Sequence, residues 1–412
     1  MSRLRSPTHA PFADTLGLVS GPELGTRGDG PLAVPRGLKG VVVADTRVGD
    51  VRGDEGFYHY RQYSAVELAA RRPLTDVWRL MIDGALPTVE REREAFAAEI
   101  APLREIQPAV AAVLPAVAAA SGPLEGLRTA LSLTGAALGM RPLHDLSPDE
   151  RRADVLALTA VTPTLVAALH RLRSGQAPVS PRHDLPPAAQ YLWMVTGQEP
   201  DPAKAAAVET YRITTIDHGF NASTFTARVV ASTGADAASC MTAAIGALSG
   251  PLHGGAPSRA LDLLREIGTP DRIDDVVCPK IELGERIMGF GHAVYRTDDP
   301  RSVLLRAVAR RLAVSNPDEA GRVAFAEAVE QRVLELLDEL KPGRALRTNV
   351  EFYAGVVMDL CDLPEEMFTP TFASSRVIGW GANVLEQAAD SKIIRPSARY
   401  VGPPPPLPVP TL

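Results

Sequence analysis

Residues 318–340, DEAGRVAFAEAVEQRVLELLDEL, give the clearest indication of the fold. Their apolar residues recur at the three- and four-residue spacing of one helix face, at Val329, Val333, Leu336, Leu337 and Leu340. The acidic residues fall off that stripe, at Glu330, Glu335 and Asp338. Pro342 and Gly343 then end the pattern, as proline and glycine do just beyond a helix. The stretch therefore predicts a long amphipathic helix.

The composition of the whole chain favours the same kind of structure. Hydrophobic residues make up 45% of the 412 residues, aromatic residues only 5%, and alanine and leucine are frequent, which suits closely packed helices better than sheets. One β element is expected, a small hairpin in which 41–43 and 57–60 flank the turn RGDEG. The predicted fold class is therefore all-α, mainly helical, with a small N-terminal β-hairpin.

Charge, cysteine usage and hydropathy exclude several classes of protein. The 43 basic and 49 acidic residues are well mixed and give a net charge of −6, so no nucleic-acid partner is expected. Cys240, Cys278 and Cys361 form no CxxC spacing and are predicted to be core thiols of a cytoplasmic protein. The sequence has no run of 18 or more apolar residues, so no membrane span is predicted. Residues 1–36 are expected to form an irregular arm, and 403–412 a proline-rich tail.

Three short segments carry residues suited to forming a carbon–carbon bond. They contain His253 in GPLHGGAP, His292 in MGFGHAVYRTDDPR and Glu351 in TNVEFY. A carboxylate can remove a proton from the carbon next to a thioester, one imidazole can stabilise the enolate oxygen, and the other can polarise a second carbonyl. His253 precedes a predicted helix, whose dipole would keep the ring neutral. The alternative is an ordinary loop histidine.

Basic residues near these segments suggest anionic substrates. Arg301 follows His292 by nine residues, and the pair could clamp the carbonyl and a carboxylate of an α-keto acid. Arg296 is predicted to face a phosphate of a CoA-like molecule, with a surface salt bridge as the alternative. The cluster of Lys341, Arg344 and Arg347 could also meet CoA phosphates, unless it is merely a solvated loop.

These motifs, together with RPSA-x-YVGP near the C-terminus, resemble the citrate synthase family, and most of all its actinobacterial-type citrate synthase 2 members. The resemblance runs from about residue 38 to about residue 403. It implies a citrate synthase-like two-domain fold, with a large helical domain at 37–251 and 366–402 and a small one at 252–365. It also implies an acyltransferase of the tricarboxylic acid cycle that condenses acetyl-CoA with oxaloacetate and hydrolyses citryl-CoA to citrate and CoA.

The same resemblance implies roles for further residues. The catalytic residues would be His253, His292 and Glu351. Oxaloacetate would be bound by His218, Arg301, Arg376 and Arg395, with Arg395 reaching into the neighbouring subunit's site of a homodimer. Arg296, Lys341, Arg344 and Arg347 remain the predicted CoA-binding residues. No metal and no permanently bound cofactor are expected, since acetyl-CoA is a co-substrate.

One departure from the family pattern concerns the base. Most family members have Asp where this chain has Glu351, and the extra methylene adds about 1.5 Å of reach. A misplacement of about 1 Å can cost about 100-fold in rate. Either the backbone is therefore set back to compensate for the longer side chain, or activity is reduced. We favour compensation, because the same glutamate recurs in the citrate synthase 2 type.

Three other functions stay open at this stage. The first is a 2-methylcitrate synthase that uses propionyl-CoA, since one methyl group changes binding by only ~1–3 kcal/mol. The second is a weakened family member that acts as a binding protein. The third is a zinc hydrolase that would use His253, His292 and Glu351 as metal ligands, although their spacing matches no known metal motif.

Overall fold

A computed structural model describes residues 32–410 apart from 252, 255, 293, 345 and 391. For 256–258 and 315 it describes the backbone but not the side chains. The chain divides into two compact units. One contains residues 32–45 and 395–410, and the other is Thr46–Ile394. Most of the predicted N-terminal arm, 1–31, and the last two residues of the predicted tail lie outside the described residues.

Helices dominate the described part of the chain, which confirms the predicted fold class. In chain order they are α1 (Ala65–Arg71), α2 (Leu74–Asp83), α3 (Glu90–Ile100), α4 (Pro108–Ala111), α5 (Leu114–Ala120), α6 (Pro123–Ala137), α7 (Pro148–Arg173), α8 (Pro187–Thr196), α9 (Pro202–Thr215), α10 (Ala222–Ser232), α11 (Ala237–Leu248), α12 (Ala256–Ile267), α13 (Ile273–Glu282), α14 (Pro300–Leu312), α15 (Pro317–Leu340), α16 (Val350–Leu360) and α17 (Phe368–Ala388).

Helix α17 is the centre of the larger unit. It packs against α2, α6, α7, α9, α10, α11 and α12, and 16 of its 21 residues are buried. Helix α9 packs against α17 and also against α14 and α16. Three candidate site residues, Arg301 on α14, Glu351 on α16 and Arg376 on α17, therefore belong to helices that all contact α9. His218, His253 and His292 lie on loops.

Helix α7 is the one helix in the described ranges that is long and apolar enough to cross a membrane. It packs against α5, α6, α8 and α17, and 72% of its most apolar 18-residue window is buried inside the protein. Its hydropathy is therefore that of a core helix.

The β-hairpin is present, but its first strand is not where the sequence predicted it. An antiparallel sheet of three strands is formed by β1 (Gly49–Arg52), β2 (Phe57–Tyr60) and β3 (Tyr63–Ser64). The predicted second strand and the RGDEG turn are confirmed, whereas 41–43 form no strand. The prediction followed a continuous apolar run, but it is Val48, Val51 and the tyrosines of β2 that pack on the core.

The long helix is confirmed as α15, with two differences. Val329, Val333, Leu336 and Leu337 are buried, but Leu340 is 39% exposed because it is the last residue of the helix. Glu330, predicted off the apolar stripe, is 7% exposed. Its carboxylate accepts hydrogen bonds from the Tyr353 hydroxyl and from Arg306, and these partners compensate for its burial.

The smaller unit has little regular structure in its described residues. A 3₁₀ turn spans Arg36–Leu38, and residues 395–410 contain neither helix nor strand. The prediction that the proline-rich tail is non-helical is confirmed for 403–410. The division of the chain into large and small helical domains at 252 and 365 stays a prediction.

Candidate active site

Two distant segments of the chain pair and bring His292 close to Glu351. The amide of Gly291 donates to Arg347 O at 2.7 Å, and the amide of Asn349 donates to Gly289 O at 2.9 Å. Both glycines have a positive φ, 88° at Gly289 and 85° at Gly291, which residues with a Cβ seldom adopt. The glycines of GFG therefore shape the backbone that precedes the histidine.

Glu351 sits in the first turn of α16. Asn349 is the N-cap: its Oδ1 accepts the Glu351 amide at 3.0 Å, and its Nδ2 donates to Gly291 O at 2.9 Å. Burial raises the pKa of Glu351 to about 7, and Arg301 opposes this shift. A carboxyl with a pKa near neutrality is suited to accept and return a proton.

Arg301 is buried and already paired with an anion. Its Nε and Nη2 donate to the Asp299 carboxylate at 3.0 and 2.7 Å. The guanidinium lies between the rings of Tyr58 and Tyr295, 5.9 and 5.8 Å from their centroids. Asp299 thus occupies Nε and one donor of Nη2, whereas Nη1 has no hydrogen-bond partner among the described residues.

The tautomer of His292 follows from its contacts. Its Nδ1 accepts the amide N–H groups of Val294 and Tyr295 at 2.9 and 3.1 Å. In a neutral ring the proton then resides on Nε2, and burial followed by Arg301 lowers the pKa of His292 to about 4. Nε2 lies 3.3 Å from Nη2 of Arg301, so two donors converge where an oxygen acceptor can satisfy both.

His218 contacts this group from the loop between α9 and α10. Its ring lies 5.5 Å from that of His292 in an edge-on arrangement, and its Nε2 is 2.9 Å from the Tyr295 hydroxyl. Burial, then Arg301, lowers the pKa of His218 well below its usual value. Three of the predicted site residues, His218, His292 and Arg301, are thus in direct contact around Tyr295.

His253 is held by the start of α10. Its Nε2 accepts the Ser223 amide at 3.3 Å and lies 2.8 Å from the Ser223 hydroxyl. That hydroxyl also accepts a hydrogen bond from Trp380 and donates to Asn221. Because the backbone N–H of Ser223 can only donate, Nε2 is the acceptor and the neutral ring carries its proton on Nδ1. Burial, then Arg376, lowers the pKa of His253 to about 4.

Arg376 approaches from α17, fully buried beside the same loop. Its Nε donates to Thr215 O at 2.7 Å, and its guanidinium stacks 4.4 Å from the centroid of the Phe372 ring. Asp217 is also buried and opposes the effect of burial on the pKa of Arg376. Each buried arginine of the site thus has a carboxylate nearby, which limits their mutual repulsion.

The predicted CoA-binding residues lie wholly or partly at the surface. Arg296 and Arg344 are exposed, whereas Lys341 and Arg347 are partly exposed. Arg347 also contacts Asp338, with Nη1 3.5 Å from the carboxylate. Arg395 is exposed and belongs to the other compact unit.

Several residues that shape the site escaped the sequence analysis. Asp299 could have been found, because an aspartate just before Pro300 is a typical helix N-cap, and Asn349 could have been found in the same way. Tyr295 and Ser223 gave no local signal, since their partners are 77 and 30 residues away.

The zinc alternative gains no support: within the described ranges, no group of three or more His, Cys, Asp or Glu side chains is placed to hold a metal.

Comparison with known proteins gives one consistent result. Residues 37–397 match the family model described as citrate synthase, C-terminal domain. A citrate synthase of Deinococcus radiodurans is 36% identical over 90% of this chain and 96% of its own length. A Mycobacterium tuberculosis protein whose designation includes citrate synthase 2 is 38% identical over 90% of this chain and 93% of its own.

A solved structure extends the likeness to three dimensions. The citrate synthase of Thermoplasma acidophilum, solved in a ternary complex with carboxymethyl coenzyme A and oxaloacetate, superposes with a TM-score of 0.85. The two are 26% identical, and the match covers 92% of this chain and 98% of that one.

Proposed function

The chain belongs to the citrate synthase family, and on that premise we propose how its residues divide the work of the reaction. As a member of this family the chain is an acyltransferase and acts as a citrate synthase. Acetyl-CoA condenses with oxaloacetate, and citryl-CoA is hydrolysed to citrate and CoA. The roles below are supported by the contacts, burial and charges of the site.

Glu351 is the base in this proposal. It removes a proton from the methyl carbon of the acetyl group, and the electrons of that C–H bond move to the thioester carbonyl to form an enol or enolate. His253 donates its Nδ1 proton in a hydrogen bond to that oxygen, because Ser223 occupies Nε2. The lowered pKa of His253 keeps it neutral, so it stabilises the oxygen mainly as a hydrogen-bond donor.

His292 and Arg301 act on the second substrate. Nε2–H of His292 and Nη2 of Arg301 lie 3.3 Å apart and suit the carbonyl oxygen and adjacent carboxylate of oxaloacetate. His218 and Arg376 hold the remainder of the dianion. Polarising the ketone makes its carbon electrophilic, and the enolate carbon attacks it to form the new bond. Water then cleaves the thioester and CoA leaves.

The remaining roles are proposed on the family pattern. Arg296, Lys341, Arg344 and Arg347 bind the CoA phosphates, which suits their position at the surface. Arg395 completes the site of the partner subunit in a homodimer. The enzyme acts in the cytoplasm, in the tricarboxylic acid cycle, with acetyl-CoA as co-substrate and no permanently bound cofactor.

The observation that carries this division is the backbone pairing of 289–291 with 347–349. It brings the segment of the proposed base, Glu351, next to the segment of His292, which is proposed to polarise the ketone. Acetyl-CoA is the acyl donor proposed here, and propionyl-CoA, which would make 2-methylcitrate, is the competing donor. Thiol release from each thioester with oxaloacetate tests the choice. A higher kcat/KM for acetyl-CoA is expected; a higher value for propionyl-CoA would establish the methylcitrate activity instead. Release from neither would favour the catalytically weakened binding protein.

A further inference from the structure

We propose that Tyr295 is a positioning residue for oxaloacetate: its hydroxyl donates to Nε2 of His218, fixes the tautomer of that ring, and so presents the Nδ1 proton of His218 to the substrate. The proposal rests on the proposed function, because it assumes that oxaloacetate binds between His218, His292 and Arg301. It adds a residue that neither the motifs nor the comparisons assign.

Tyr295 is surrounded by the oxaloacetate group. Its side chain is buried, at 4% exposure, and its ring lies 5.5 Å from that of His218 and 4.8 Å from that of His292. The Arg301 guanidinium lies over the same ring, and the Tyr295 amide donates to Nδ1 of His292. One residue thus contacts three of the side chains proposed to hold the substrate.

The charge of the proposed substrate sets the direction of this hydrogen bond. The Tyr295 hydroxyl lies 2.9 Å from Nε2 of His218 and has no other hydrogen-bond partner among the described residues. With the tyrosine as donor, the proton of neutral His218 is on Nδ1, where an oxygen of oxaloacetate can accept it. With His218 as donor, Nδ1 would instead present a lone pair to an anionic substrate.

Burial keeps both groups in the protonation states this requires. It raises the pKa of Tyr295, so the phenol retains the proton that it donates. It also lowers the pKa of His218, with Arg301 and His292 adding to the effect. The pair is thus a neutral phenol bonded to a neutral imidazole, and the arginines supply the charge that oxaloacetate needs.

The β1–β2 turn fixes the backbone on which Tyr295 sits. The Arg296 amide donates to Gly53 O at 3.2 Å. A Cβ on Gly53 would lie 2.2 Å from Val294 O, and one on Gly56 would lie 2.8 Å from the Thr297 hydroxyl. Such distances allow only glycine at this contact. The hairpin and the 294–297 segment are therefore in close backbone contact, with Tyr295 between the contact points.

The chain offers a matched control in Tyr58. Its ring also packs 5.5 Å from His218 and is fully buried. Its hydroxyl, however, donates to the backbone oxygen of Thr214 at 3.1 Å rather than to an imidazole nitrogen of His218. Tyr58→Phe and Tyr295→Phe thus remove the same atom at similar depth beside the same histidine.

The test is oxaloacetate binding to the full-length protein, measured by titration calorimetry without acyl-CoA. Tyr295→Phe is expected to raise the Kd about fivefold to tenfold, the loss of one hydrogen bond, while Tyr58→Phe changes it less than about twofold. In steady-state assays the KM for oxaloacetate should rise in Tyr295→Phe and the KM for acetyl-CoA should not.

Equal Kd values for the two variants would overturn the proposal, as would a parallel rise in both KM values, because either result would make Tyr295 a structural residue. Melting temperatures identify a variant that is merely unfolded. The binding measurement is independent of turnover: a chain that binds oxaloacetate but forms no citrate would count against the proposed function and leave the role of Tyr295 standing or falling on its own Kd.

Discussion

Asp299 and Val350 hold two helix N-termini together: Oδ2 of Asp299 accepts the Val350 amide at 3.0 Å. The same carboxylate binds the Arg301 guanidinium and accepts the Arg301 amide. Asp299 is thus the N-cap of α14 and a partner of the first residue of α16. Through it the proposed oxaloacetate arginine and the helix of the proposed base share one anchor.

Replacing that anchor should affect both binding and stability. Asp299→Asn leaves Arg301 buried without its counter-ion, and breaking a buried ion pair costs about 3–5 kcal/mol. We expect a lower melting temperature and at least a tenfold rise in the KM for oxaloacetate. Asp298→Asn, at the exposed neighbouring residue, is the control and should change neither quantity appreciably. Equal effects of the two substitutions would contradict the shared anchor.

The reaction should depend on pH through Glu351. A base works only as the carboxylate, and burial raises its pKa to about 7. The kcat/KM for acetyl-CoA should therefore be level above about pH 7.5 and fall about tenfold per pH unit well below pH 7. A pH series from 5.5 to 8.5 in a buffer of constant ionic strength checks this. A profile that stays flat down to pH 5.5 would disagree with the burial of this group.

Glu351→Asp should reduce activity even though aspartate is the usual residue in this family. If the backbone of this chain is set back to suit the longer side chain, the shorter one falls about 1.5 Å short, and a loss of about 100-fold in kcat is expected. Oxaloacetate affinity, measured by calorimetry, should be unchanged. An equal or higher kcat for the aspartate variant would mean that the backbone does not compensate.

Ser223→Ala should weaken the enolate donor. The hydroxyl of Ser223 contacts Nε2 of His253 at 2.8 Å and joins it to Trp380 and Asn221. Without it His253 is less firmly oriented, and we expect kcat to fall about tenfold with little change in the KM for oxaloacetate. Ser374→Ala is the control, because Ser374 is also buried but bonds the backbone of its own helix. Similar kinetics in the two variants would argue against this role.

The hairpin contact can be tested at Gly53. Gly53→Ala puts a methyl group 2.2 Å from Val294 O, which should push the turn away from 294–297 and raise the KM for oxaloacetate severalfold. Gly246→Ala is the comparison, because a Cβ there meets nothing within 4 Å. Wild-type kinetics in Gly53→Ala would show that the turn does not support the site.

Residue chemistry made part of this site predictable, and long-range pairing concealed the rest. His253, His292 and Glu351 stand in glycine-rich or capped segments. Residues of these types in such segments are typical of catalytic sites. The bonds that orient them join residues far apart in the chain: Asn349 reaches Gly291, 58 residues away, and Tyr295 reaches His218, 77 residues away. Local periodicity contains no information about such contacts.

The errors in the fold prediction have the same origin. Residues 41–43 have the β-branched composition of a strand, but strand formation depends on a partner and a core to pack against, which Val48 and Val51 have. Glu330 was predicted off the apolar stripe, but it is buried because the Tyr353 hydroxyl and Arg306 donate hydrogen bonds to its carboxylate. The position of α15 was predicted correctly, because helical spacing is itself local.

Thiol release from acetyl-CoA with oxaloacetate, compared between the wild-type chain and Glu351→Gln, tests whether Glu351 is the base. The glutamine keeps the size of the side chain but cannot accept the proton. We expect steady release by the wild type, a loss of about 1,000-fold in kcat for the variant, within the ~10²–10⁴ range of general-base catalysis, and unchanged oxaloacetate affinity. Release at the wild-type rate by Glu351→Gln would show that another group is the base.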